Sequence, residues 1–118
     1  MTSQQIHSDY PPAITLARIV SEGSRNKIVF LAFMTQTCPG CKETYEALRK
    51  FSREQEGFVE IVVVDADRHP PLITHYGVRG VPTIHVYGQQ RSLLIEIGPR
   101  SVRMLTKMFK QAQKMIAS

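Results

Sequence analysis

The sequence predicts an α/β domain built on a mixed sheet. Residues 28–34 form an unbroken apolar run of seven, and 58–64 are rich in β-branched and apolar residues; both read as strands covered on two faces. The segment between them places apolar residues at helical spacing, which completes a β-α-β pattern. The chain then turns strand-rich and closes on an amphipathic stretch at 101–117.

Taken in order, Asp9 ahead of Pro11 and Pro12 predicts a helix start, with Asp9 near the cap and a proline in the first turn. A short first strand around 4–7 is a further expectation of this polar segment. Ile14, Leu16, Ala17, Ile19 and Val20 supply the helix's apolar side, and 21–26 break it. Residues 27–34 are the first buried strand. A helix follows Cys38 from about 40 to 56, with Tyr45, Leu48 and Phe51 at helical spacing and Gly57 at its end. Residues 58–64 are the second strand, and 67–76 a loop with a short helical turn. Then 83–87 read as a strand, 88–91 as a polar turn and 92–97 as the hairpin partner. In the last helix Val102, Leu105, Phe109, Ala112 and Ile116 recur at 3-4-3-4 spacing, one buried stripe.

The chain has 118 residues, so a single domain spanning 1–118 is expected. With 42% apolar and 21% charged residues it is too apolar for a disordered chain. The seven-residue apolar run is far short of the roughly 20 needed to cross a bilayer, and residues 1–12 lack a secretory leader's apolar stretch. The expectation is a soluble, cytoplasmic protein, although a chain cut from a larger exported protein would read the same. The formal charge of +5 suggests nucleic acid at first glance. Arg100, Arg103, Lys107, Lys110 and Lys114 form a stripe along the last helix, which reads first as a solvated face, then as a surface for an acidic partner. No aromatic-rich strand accompanies it, so no nucleic-acid partner is expected.

Only two cysteines occur, Cys38 and Cys41. They cannot build a multi-bridge scaffold, nor a four-ligand zinc site without further ligands. The candidate histidines are His69, His75 and His85, and the first two sit on a loop whose spacing suits no common finger, so no metal and no bound cofactor are expected. Redox chemistry remains. Cys38-Pro39-Gly40-Cys41 joins the end of a buried strand to the first turn of a helix, whose free amides and partial positive charge favour a thiolate on the first cysteine. That thiolate would attack a substrate disulfide, and the second thiol would resolve the mixed disulfide. Cys38, outside the helix and expected to be exposed, is the attacker; Cys41, shielded inside it, resolves.

From about Lys27 onward the chain resembles the thioredoxin family. Cys38-Pro39-Gly40-Cys41-Lys42 matches the redox motif, and Tyr76-Gly77-Val78-Arg79-Gly80-Val81-Pro82-Thr83 matches the family's cis-proline segment almost residue for residue. Val64-Asp65-Ala66-Asp67 and Gly98 fall at further landmarks, with spacings that agree without gaps. The resemblance implies a thioredoxin fold, a central mixed β-sheet flanked by helices, with Pro82 cis beside the cysteines. It also implies a substrate groove lined by Cys38, Thr37, Gly80, Val81, Pro82, Ile97, Gly98 and Pro99, where the backbone of Val81 is free to pair with an extended peptide.

The sequence departs from the family at four places. The dipeptide is Pro-Gly rather than Gly-Pro, closer to glutaredoxins and the strong periplasmic oxidants. The family's buried aspartate and its lysine partner are replaced by Ala32 and Val63, which removes a proton relay without orphaning a charge. Met34 and Thr37 stand where the family has tryptophans, and Glu46 where it has a kink proline, so the long helix is expected to run straighter.

Among other residues, Met104, Met108 and Met115 read as the edge of the core, with an adaptable contact surface as the alternative. His85 reads as a sheet-face histidine. His75 and Tyr76 lie near the cis-proline segment in sequence, and Asp65 and Asp67 are expected to cap the third helix or, less simply, to accept a proton. The expected function is thiol–disulfide exchange on protein substrates by a monomer supplied by a reductase or another electron donor. Two alternatives stand beside it: a thioredoxin-like binding module with little redox activity, and an oxidant or isomerase of an exported compartment.

Overall fold

The computed structural model describes residues 13–117. Its elements are α1 (Ala13–Gly23), β1 (Ile28–Met34), α2 (Pro39–Glu54), β2 (Val59–Asp65), α3 (Pro70–His75), β3 (Thr83–Gly88), β4 (Arg91–Ile97) and α4 (Val102–Ala117). The expected Asp9 cap and the 4–7 strand lie outside the described residues.

All seven residues of β1 are buried, and β1 lies inside a four-stranded sheet of order β2-β1-β3-β4. The β1–β2 pair is parallel, joined by the α2 crossover, while β1–β3 and β3–β4 are antiparallel. Alternation along β1 divides the core. Ile28, Phe30, Ala32 and Met34 pack with α2 and α4; Val29, Leu31 and Phe33 pack with α1 and α3. On the first face Phe51 sits edge-on to Phe30 at 4.9 Å and to Phe109 at 5.9 Å. Leu105, Phe109 and Ala112 are buried there, and Val102 and Ile116 pack against them, as the stripe predicted.

Several expectations are corrected. Ile14 is 79% exposed and Ala17 is exposed, so α1 buries only the narrow stripe of Leu16 and Val20, with Ile19 and Ala13 at its margin. The helix also runs three residues into the expected break, to Gly23. Phe58 is 63% exposed because β2 begins one residue later, after the turn in which Gly57 adopts φ +93°. Met108 is core, whereas Met104 and Met115 are exposed. The N-cap of α3 is His69, and Asp65 instead accepts the Asp67 N–H at 3.0 Å, closing a local turn. α2 is continuous through Glu46.

The β3–β4 turn uses an unexpected device. Gln89 and Gln90 both take left-handed φ, 50° and 62°, in a turn where glycine or asparagine is the usual choice. Hydrogen bonds to α1 and its end hold it: Gln89 N–H to the Ser24 carbonyl at 2.7 Å, Gln90 N–H to Ser24 Oγ at 3.2 Å, and Gln90 Nε2 to Ser21 Oγ at 2.8 Å.

Candidate active site

β1 ends at Met34, and four residues later Cys38 caps α2 with extended backbone, φ −86° and ψ 116°. Pro39 occupies the first turn, where its fixed φ suits the helix and its missing N–H costs nothing. The Cys41 N–H, one of the amides a helix leaves unpaired at its start, lies 3.1 Å from Cys38 Sγ. A donor aimed at that sulfur is what a charged nucleophile requires. On its other side Cys38 Sγ lies 3.7 Å from the Val81 carbonyl oxygen, a contact across 43 positions of sequence. That loop shelters the sulfur, so Cys38 is half-buried rather than exposed as expected.

Cys41 is 2% exposed, inside the apolar cluster of α2, α4 and the sheet. Burial pushes its thiol up to about 12, the hydrogen bond to Cys38 and the charge there push the same way, and hydrogen bonds from Thr35 pull against them. Both cysteines are free thiols. Ala32 and Val63 are cross-strand partners in the same cluster, so both positions that hold charge in the family lie side by side and both are apolar here.

The structure brings most of the expected groove residues together. The Val81–Pro82 peptide is cis. Pro82 is buried, Gly80 and Val81 are half-buried, and the Thr83 hydroxyl donates to the Gly80 carbonyl. The Gly98 N–H donates to the Pro82 carbonyl at 2.8 Å, and the Ile97 side chain lies against Gly80 while remaining 57% exposed. Thr37 is exposed one residue before Cys38.

His75 and Tyr76 are not part of this arrangement. They pack edge-on at 5.0 Å, and Tyr76 joins Phe33 and His85 on the α1/α3 face of the sheet. His85 is buried there, and burial lowers its pKa. Arg100 is not a member of the α4 stripe either: it precedes the helix and bonds Glu96 at 2.9 Å. Sequence reasoning missed Thr35 and Thr44, and it placed Thr83 in the cis-proline segment without giving its hydroxyl a role. Each acts through a residue remote from its own segment or through backbone, and an isolated threonine gives no sequence signal of that. Among the described residues no three His, Cys, Asp or Glu side chains converge on a possible metal site.

The thioredoxin family model matches residues 15–111. The chain belongs to the thioredoxin family. Thioredoxin 1 of Nostoc sp. is 24% identical over 75 residues, which cover 62% of this chain and 70% of that protein. Protein disulfide isomerase-like 2-3 of Oryza sativa subsp. japonica is 30% identical over 78 residues, 66% of this chain but only 18% of its relative. Among solved structures, chloroplastic thioredoxin z superposes with a TM-score of 0.77 at 20% identity, covering 93% of this chain and 97% of that one. Fasciola hepatica thioredoxin gives 0.77 at 18% identity, covering 91% and 97%. The mixed sheet flanked by helices is the thioredoxin fold, and the relatives support a thioredoxin-type redox protein. No helix among the described residues is long and apolar enough to cross a membrane.

Proposed function

We propose that the protein is a dithiol–disulfide oxidoreductase that reduces or exchanges disulfides in protein substrates, acting as one domain in the cytoplasm. The observation that carries this reading is the Cys38 sulfur between the Cys41 N–H at 3.1 Å and the Val81 carbonyl at 3.7 Å, with the second thiol buried behind it. The Cys38 thiolate attacks one sulfur of a substrate disulfide, forming a mixed disulfide and releasing the other substrate sulfur as a thiolate that takes up a proton. Cys41 then loses its proton and attacks Cys38 Sγ. The Cys38–Cys41 disulfide forms, and the first substrate sulfur leaves as a second thiol. Two electrons have passed to the substrate, and a dithiol donor such as a reductase must return them. Thr37, Gly80, Val81, Pro82, Ile97 and Gly98 form the groove that takes the extended peptide around its cysteine.

Insulin reduction coupled to dithiothreitol tests the assignment. Cys38→Ser is expected to lose the acceleration by at least about a hundredfold, and Cys41→Ser to accumulate a mixed disulfide visible as a mass adduct. A Cys38→Ser variant as active as the parent overturns the reading. Capture of a partner by the Cys38→Ser/Cys41→Ser variant, with no exchange by the parent, would instead make the domain a binding module.

The position of Cys41 near 12 sets a pH signature for the second step. In the mixed disulfide Cys38 carries no charge, and burial, the largest cause, remains. The thiolate fraction of Cys41, and with it the single-turnover rate of resolution, should rise about tenfold per pH unit across the neutral range. A rate independent of pH between about 6.5 and 8.5 would show that another group takes the proton before the rate-limiting event.

A further inference from the structure

Gly40 has no room for a side chain. A Cβ on its backbone would stand 2.6 Å from Pro99 Cγ, with Pro99 Cβ and Cδ at 3.5 and 3.6 Å. A proline ring is tied to its own backbone and cannot swing aside as a long side chain would. Relief would require residues 98–100 to move, and these are held on several sides. The Gly98 N–H donates to the Pro82 carbonyl at 2.8 Å. The Arg100 N–H donates to Thr44 Oγ1 at 3.0 Å, and Thr44 is buried one helical turn beyond Gly40. The Arg100 guanidinium closes the segment on itself, donating to Glu96 at 2.9 Å, the Pro99 carbonyl at 3.0 Å and the Ile97 carbonyl at 3.4 Å.

Residues 98–100 therefore touch α2 at two successive turns and the Pro82 loop at a third point. We propose that Pro99 is a positioning residue for Cys38. Its ring, seated on the bare Cα of Gly40, sets the spacing between the first turn of α2 and the 80–82 loop, and so the place of Cys38 Sγ against the Val81 carbonyl. Gly40 and Pro99 are a matched pair: a side chain at position 40 requires a smaller residue at position 99. The kinetic consequence rests on the oxidoreductase reading, but the steric match does not.

A double-mutant cycle separates the two. Pro99→Ala removes the Cγ at 2.6 Å and leaves the Cβ at 3.5 Å, an ordinary contact distance. Gly40→Ala should slow both insulin reduction and iodoacetamide alkylation of Cys38 by about tenfold, and Pro99→Ala, which loses the ring that sets the spacing, by about threefold. A Pro99→Ala protein that alkylates at the parent rate overturns the positioning role. The double variant should match Pro99→Ala within about twofold, so that the second change rescues the first. The oxidised fraction at fixed glutathione ratio should follow the same pattern, which a role confined to stability would leave unmoved. Losses that multiply in the double variant, or a Gly40→Ala protein that alkylates at the parent rate, overturn the proposal. If Gly40→Ala does not fold, a folded double variant supports the match and an unfolded one overturns it. If the parent shows no exchange at all, the redox reading fails, while the alkylation rates still decide the steric one.

Discussion

The two faces of the sheet are built differently, although β1 supplies both. On one face α2 and α4, sixteen residues each, pack on the sheet and enclose Cys41 in aliphatic and aromatic packing. On the other, α1 has eleven residues and α3 only six. There the interior holds His85, Tyr76 and Tyr87 beside Phe33, and a cavity of about 250 Å³ opens between Val20, Ser24, His75, Tyr76, Tyr87 and Gln90. Burial raises Tyr76, raises Tyr87 to about 12 and lowers His85. Coverage thus separates two kinds of chemistry across one sheet. The face under the two long helices shields a thiol, and the face under the two short ones collects titratable groups.

The largest test of this contrast is Phe51→Ala. Phe51 is fully buried between Phe30 and Phe109, and its loss should cost about 3–5 kcal/mol and speed alkylation of Cys41. Leu16→Ala on the thin face, buried to the same degree, should cost nearer 2–3 kcal/mol in urea unfolding, with Cys41 as slow to react as before. Equal costs, or equal effects on Cys41, would dissolve the distinction.

A smaller effect, of opposite sign, is expected at Ser52. Its hydroxyl is the one buried side-chain nitrogen or oxygen without a hydrogen-bond partner among the described residues. Ser52→Ala removes that unmet group and should stabilise by about 1 kcal/mol, read as a rise of about 4 °C in Tm.

The smallest effect is confined to acid solution. Burial holds His85 below its ordinary 6.5, so the unfolded chain takes up a proton first as pH falls. The stability tied to His85 is therefore complete above 6.5 and is lost as pH falls from there toward the folded value. The drop in Tm between about pH 7.5 and 5.5 should be shallower in His85→Leu than in the parent. A parallel drop in both would place the acid sensitivity elsewhere.

What could be read from the sequence was local. The β1 run, the helix around Leu48 and Phe51, the α4 stripe and the Cys38–Cys41 spacing lie within single elements, where periodicity reports burial directly. Ile14 misled because an apolar residue on a helix signals burial only if something covers it, and α1 meets the sheet along a stripe too narrow to reach it. The pairing of Val81 with Cys38 was legible only through the family resemblance. The clash that keeps position 40 bare, the Thr44 anchor and the grip of Arg100 join residues 56 or more positions apart or depend on backbone carbonyls, and no local pattern encodes them.

β4 has one further consequence, for the protein in bulk solution. Among the described residues it pairs only with β3, and it carries Ile95 and Ile97, each 57% exposed. No lysine or proline interrupts the strand, whose charged side chains are Arg91 at its start and Glu96 near its end. Two chains meeting flank to flank would find an unfinished hydrogen-bond ladder. Long-range repulsion between molecules of charge +5 opposes that meeting, and it weakens as salt shortens the screening length to about 8 Å at physiological ionic strength. Colloidal stability is therefore tied to ionic strength, with dilute buffer the safer solvent and concentrated salt the condition in which the open edge is exposed to its own kind.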